Sequence, residues 1–314
     1  MKKFSKVCLI ICLVLVCVSI VCITAGAAMG SSIREVRQVA GVGGLDFWGF
    51  TPVKGFLGNL WDYEEEGESG DNAVMIDGVV NETFAAEKID ELSIDLYYGN
   101  IIIEDSGSED ITISIDAPKR HTYSCKASGS ALTLTETTRK WKRGVNWNYT
   151  KPEVVIGIPA GKKFEEVDIT ASAGKVTIEH QISGKDVSLE VDAGQMTGEM
   201  VTAGELDLET GAGELILDDF TAGSLSIDCG VGNVEIRGAA ENEVDATCGV
   251  GSIVLKLAGD PEAYNYDLSC GVGSIEINGS TYTALGRSKE IDNNASGDIS
   301  LDCGVGSIEV EIRE

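Results

Sequence analysis

The sequence predicts an all-β fold: a β-solenoid of stacked ~19–22-residue coils, carrying an antiparallel strand block near its N-terminal end and preceded by one transmembrane helix. Two observations predict the solenoid. Cys-Gly-Val-Gly recurs four times, starting at Cys229, Cys248, Cys270 and Cys303, and each copy lies between alternating apolar runs. Self-similarity at a period of about 20–50 residues marks a stacked repeat. A third observation predicts the helix: Val7 to Met29 is uncharged and apolar, longer than the roughly 20 residues a bilayer crossing needs.

Residues 1–30 read as a cytoplasmic stub and signal-anchor. Lys2, Lys3 and Lys6 place the N-terminus inside and the rest outside. Ala25-Gly26-Ala27 offers a signal-peptidase site, but the apolar run exceeds an ordinary signal core, which favours an uncleaved anchor. Residues 31–85 read as a juxtamembrane stalk or linker, with Trp48 and Trp61 suited to the outer membrane–water interface. Residues 86–314 then form the β domain, interrupted by an irregular strand block at about 105–165.

The corner glycines define the coils. Gly174, Gly194, Gly213, Gly232, Gly251, Gly273 and Gly306 fall into one series whose last step is lengthened by the segment 278–297. That segment is rich in Gly, Ser, Thr and Asn and reads as a loop leaving the stack. Before each glycine one parity is apolar, as in Leu225, Ile227, Cys229 and Val231, and the inward set resumes with Val234 and Ile236. Period-2 alternation sends one set inward. A glycine where the parity flips suits a corner with close backbone approach. Ala212, Val250, Val272 and Val305 are assigned inward by the same rule.

A lone earlier unit repeats the columns around Gly99, with Leu92, Ile94, Leu96 and Tyr98 before it and Ile101 and Ile103 after it. The block that follows contains the runs 111–115, 123–127, 132–134 and 154–156, with a tight-turn signal at Ser128-Gly129-Ser130. These read as antiparallel strands flanking or capping one end of the stack. Glu309, Glu311, Arg313 and Glu314 on the final coil discourage edge-to-edge pairing.

The run Val154-Val155-Ile156-Gly157-Ile158-Pro159-Ala160-Gly161, with Val167 to Ile178, resembles the bacterial putative-adhesin β-strand-repeat family over about Ile89 to Ile312. The resemblance implies an exported β-solenoid without catalytic residues. Cysteine before Gly-Val-Gly departs from the Ser or Thr more common there.

The formal net charge is −27, which disfavours nucleic acid and reads as a solvated outward face. Glu190, Glu209 and Asp228 stack in this register and could be relieved by Ca²⁺. No metal, cofactor or catalytic set is assigned. His121 and His180 sit in no recognisable motif. The four repeat cysteines share one inward column and read as small buried hydrophobes. A soft-metal ladder is the other reading, without a C-x-x-C pair behind it. In-register stacking holds their Cβ atoms about 4.8 Å apart, beyond the ~3.8 Å of a disulfide. The candidate ligand-binding segment is Arg139, Lys140, Trp141, Lys142 and Arg143 with Trp147 and Tyr149, a basic–aromatic run suited to anionic polymers or sugar rings. Its alternative is pairing with the protein's own acidic face. The expected function is a single-pass cell-membrane protein with an extracellular, non-enzymatic scaffold. It would adhere to or bind a cell-wall polymer, glycan or membrane protein partner. A regulatory envelope-stress role beside a membrane partner is the alternative.

Overall fold

The computed structural model describes residues 74–76, 79–117, 121–138, 151–282 and 287–313, all within the compact unit Pro52–Glu314. The anchor at 1–30 lies outside them, and no helix of the described residues is long and apolar enough to cross a membrane. The fold is all-β, with 3-10 turns at Ala86–Lys88 and Pro261–Ala263.

The strands are β1 (Val74–Ile76), β2 (Val79–Ala85), β3 (Glu91–Asp105), β4 (Asp110–Asp116), β5 (His121–Ser128), β6 (Ala131–Thr138) and β7 (Glu153–Ile158). Then come β8 (Phe164–Ile178), β9 (Ile182–Gly198), β10 (Val201–Ala258), β11 (Tyr264–Ile277), β12 (Ser280–Tyr282), β13 (Arg287–Ile291) and β14 (Gly297–Arg313). The length of β10 follows from unbroken pairing around its corners, so that it winds through three coils. Each coil presents a first leg before the corner glycine and a second leg after it. A short third run completes the turn, with Ile182, Val201 and Phe220 all buried.

The coils pair in parallel and in register: β3 with β8, β8 with β9, β9 with β10, β10 with β14, and β14 with β11. Inward columns therefore run the length of the stack. One is Leu92, Val167, Val187, Leu206, Leu225, Val244 and Ile299, ending on Tyr266. Each such side chain taken out of water contributes about 1.5–3 kcal/mol, and neighbour contacts along the stack carry the stability.

The corner glycines are required by contact. A Cβ built on Gly174 would fall on the carbonyl oxygen of Gly99. Gly194 meets that of Gly174, Gly232 that of Gly213, and Gly251 that of Gly232 in the same way. No side chain fits where successive backbones approach so closely.

Both ends are closed by antiparallel strands. At the N-terminal end β6 extends the first leg and β7 the second, both parallel to β3. Then β5 turns antiparallel onto β6 through Ser128–Ser130, and β4 onto β7. β1 and β2 complete the two layers by pairing with β5 and β4. At the other end β13 covers the first leg of β11 and β12 the second. Unpaired strand edges invite association, and these strands occupy them.

The coils do not stack in chain order: β14, the last coil, is inserted between β10 and β11. Three expectations are corrected. The segment 278–297 is no mere loop, because it contributes β12 and β13 to the cap. The strand domain begins before residue 86, since β1 and β2 lie within the stretch read as stalk. Tyr98, Val231, Val250 and Val272 point out, at 37, 55, 48 and 40 % exposure, while Ala212 and Val305 are half-buried. Alternation was carried one residue too far there, because the chain already bends at Gly-Val-Gly and swings the central valine to the outside of the corner.

Candidate binding face

The outward positions of the first legs form one charged face. In stack order the column nearest the corner reads Asp95, Thr170, Glu190, Glu209, Asp228, Thr247, Asp302, Ser269. The next reads Ser93, Asp168, Ser188, Asp207, Ser226, Asp245, Ser300, Asp267, a strict alternation. The third is Glu91, Glu166, Asp186, Glu205, Ser224, Glu243, Asp298, Asn265. None of these positions carries a lysine or arginine. Fifteen carboxylates thus stand on the outward face of one leg of the solenoid.

Packing these carboxylates together raises their proton affinity. Burial, then Glu209 and Asp192, pushes Glu190 up to about 7. Burial is also the first cause of the upward shifts of Asp95, Asp168, Glu209, Asp228 and Asp245. Thr170 donates its hydroxyl to Glu190 at 3.2 Å. Asp192 and Glu136 are buried at 6 and 4 % exposure, and the Glu136 carboxylate accepts the Tyr98 backbone N–H at 2.9 Å. No three of the described metal-ligating side chains converge into a cation site.

Beside this face runs the corner ridge: Tyr98, Ala173, Ala193, Ala212, Val231, Val250, Val305, Val272. Glycines flank each valine, so the ridge stands above bare backbone. Across it lie Asn233 and Ser252, hydrogen-bonded to each other at 2.8 Å, and then Glu235, paired with Lys256 at 2.6 Å. Sequence reasoning missed the ridge. The signal was available, since a valine between two glycines at a bend has no inward direction to take.

Inside the corner Cys229, Cys248, Cys303 and Cys270 share one buried column with Leu96, Ala171, Val191 and Thr210. Burial pushes the Cys303 thiol up to about 12, while the Cys248 thiol donates to Cys229 and lowers it. Arg139, Lys140, Trp141, Lys142, Arg143, Trp147 and Tyr149 lie outside the described residues. The described residues resume at Lys151, and the carbonyl of Pro152 accepts the Asn100 N–H at 2.9 Å, where the other coils have their corner glycine.

A family profile described as Toastrack DUF4097 matches residues 89–303. The chain belongs to the Toastrack DUF4097 family. No curated protein matches this Toastrack chain. Among solved structures it is similar to a putative cell adhesion protein from Clostridium sporogenes, at 13 % identity and TM-score 0.30, over 77 % of this chain and 100 % of that one. It is also similar to a putative adhesin from Bacteroides fragilis, at 18 % identity and TM-score 0.32, over 74 % and 96 %. A third is a putative adhesin from Parabacteroides distasonis, at 10 % identity and TM-score 0.30, over 75 % and 97 %.

Proposed function

We propose that this Toastrack chain is a single-pass, envelope-exposed, non-enzymatic scaffold that binds a cationic component of the bacterial envelope through its acidic face. The observation that carries this reading is the composition of the first-leg columns: carboxylates interspersed with small hydroxyls over eight stacked coils, in strict alternation in the middle column, with no basic residue among them. A face of one sign attracts a partner of the other and speeds its encounter. The adjoining ridge of Val231, Val250, Val305 and Val272 supplies apolar contact for the same partner.

The test is co-sedimentation of the protein with isolated envelopes. The variant Asp207→Ser, Glu209→Thr, Asp228→Thr, Asp245→Ser uses only residue types already present in those columns. It relieves like-charge crowding, so lost binding cannot be ascribed to unfolding. The expected result is binding that weakens about tenfold or more in the variant, and in the parent as salt shortens the Debye length from about 10 Å to about 3 Å. Binding indifferent to both changes would remove the proposal.

A further inference from the structure

Asn278–Gly279 is the one Asn-Gly pair in the chain, and the fold sets it at a joint. The pair forms the whole loop between Ile277 and Ser280, which are paired neighbours of β11 and β12. Both residues are exposed, and a Cβ on Gly279 would meet nothing within 4 Å. Water therefore reaches the Asn278 amide, and no side chain shields the Gly279 nitrogen. In an unfolded Asn-Gly stretch that nitrogen can close a five-membered ring on the asparagine carboxamide. Asn233, Asn242 and Asn265 precede Val234, Glu243 and Tyr266, whose side chains crowd the same attack.

Two features of the fold oppose that ring. Asn278 has a φ of 47° and Gly279 a φ of 77°, and the left-handed region carries a ψ of about +30 to +60°. The Gly279 nitrogen then stands nearly opposite the Asn278 Cβ across the Cα–C bond, whereas ring closure needs the two eclipsed. The last coil is the second obstacle. Asn278 donates its N–H to the Val310 carbonyl at 2.9 Å, and its side-chain oxygen accepts the Ile312 N–H at 2.8 Å. Turning the main chain at Asn278 breaks these bonds to β14. The pair is therefore reactive only when the end of β14 lifts away.

We propose that Asn278 is a modification site: it deamidates, and the docked end of β14 holds it unreactive until that end opens. The Gly279 nitrogen bonds to the Asn278 Cγ, the Cγ–Nδ2 bond breaks, and ammonia leaves with the proton that Gly279 gives up. Water then opens the ring at either carbonyl. Opening at Cγ gives aspartate. Opening at the main-chain carbonyl gives isoaspartate, with the chain rerouted through Cβ and Cγ. No electron is transferred. Aspartate keeps an oxygen for the Ile312 N–H. Isoaspartate lengthens the loop by one main-chain atom, and a two-residue hairpin whose twist must match its strands cannot take that in without unseating β12. A coil that has opened and reacted therefore does not reseat as before.

The experiment follows the full-length chain in detergent at mildly alkaline pH and reads the one-dalton mass gain on the peptide that carries Asn278. The folded parent should react about tenfold or more slowly than the same chain unfolded in urea, since both hydrogen bonds must first be given up. A folded variant lacking residues 312–314 loses the Ile312 donor and should react about threefold or more faster than the folded parent. A thermal melt verifies that this variant folds. If it does not, the parent is followed through urea concentrations below its unfolding midpoint, where the rate should climb with the opened population. The isoaspartate-bearing chain should melt below the parent, and Asn278→Asp close to it. Equal rates in the folded and unfolded parent would overturn the proposal. So would a folded rate indifferent to loss of 312–314 or to urea, a mass gain that comes first at Asn233, Asn242 or Asn265, or an isoaspartate chain as stable as the parent.

Discussion

Glu190 sits where the acidic face is most crowded, and its neutralisation should stabilise the fold in a pH-dependent way. Its carboxyl is raised from 4.5 to about 7 by burial first, then by Glu209 and Asp192. In the unfolded chain it returns to the ordinary value. A raised carboxyl favours the folded state below the unfolded pKa, and that support is lost as pH climbs from 4.5 to about 7. Each unit is worth about 1.36 kcal/mol, so full loss by pH 8 costs roughly 3.4 kcal/mol and loss at pH 5 roughly 0.8. The side chain is only half-buried, so solvent screening halves these to about 1.7 and 0.4 kcal/mol. Glu190→Gln removes the titration yet keeps an oxygen for the Thr170 hydroxyl. Urea unfolding should show the variant more stable than the parent by about 1–2 kcal/mol at pH 8 and by under about 0.5 at pH 5. An equal gain at both pH values, or a loss at pH 8, would refute the crowding argument.

Three further changes probe the backbone and the core. Gly232→Ala places a Cβ on the Gly213 carbonyl oxygen, and backbone cannot swing aside as a side chain can. The expected loss is about 3 kcal/mol or more, measured by urea titration. Gly107→Ala, with open space around it but a φ of 60°, should cost only about 1–2 kcal/mol. Thr210 is buried at 1 % exposure, and its hydroxyl finds no hydrogen-bond partner among the described residues. Thr210→Val should therefore raise stability by about 1–2 kcal/mol, seen as a higher melting temperature. A fall would show that the hydroxyl is satisfied.

Much of this architecture is legible in the residues because the coil is periodic in two ways at once. Leu225 and Ile227 alternate with Ser226 and Asp228, and the same pattern returns nineteen residues later from Val244. Corner glycines are legible because nothing else fits. Alternation fails at Val231, since a period-2 rule assumes a straight strand and this residue sits on a bend. The acidic face was only half legible. The stacking of Glu190 on Glu209 follows from the glycine register. The absence of basic residues from the face emerges only when the columns are read down the stack rather than along the chain. Alternation of Asp245, Ser300 and Asp267 exists only in the spatial order.

The exchange of the last two coils has a local cause. Asn278 and Gly279 both have positive φ, 47° and 77°, and join Ile277 to Ser280 as paired neighbours. This is the two-residue loop that asparagine–glycine favours between antiparallel strands, because its twist matches theirs. A hairpin that short obliges β12 to take the free edge of β11 at once. With β13 on the other leg, the outward side of β11 is then filled. The remaining coil, β14, pairs in parallel with β10 on one side and β11 on the other. Electrostatics does not drive this choice: the insertion separates Asp245 from Asp267 but sets Glu243 beside Asp298. The crossover Gly259–Ala263 therefore spans one coil, and β14 lies between the two strands that it joins. Contacts from both turns fasten the end of β14: Gly259 donates its N–H to the Arg313 carbonyl, the Asn278 N–H donates to the Val310 carbonyl, and the Ile312 N–H is received by the Asn278 side chain. A two-residue turn signal, present in the sequence, thus determines which thiols and which carboxylates become neighbours.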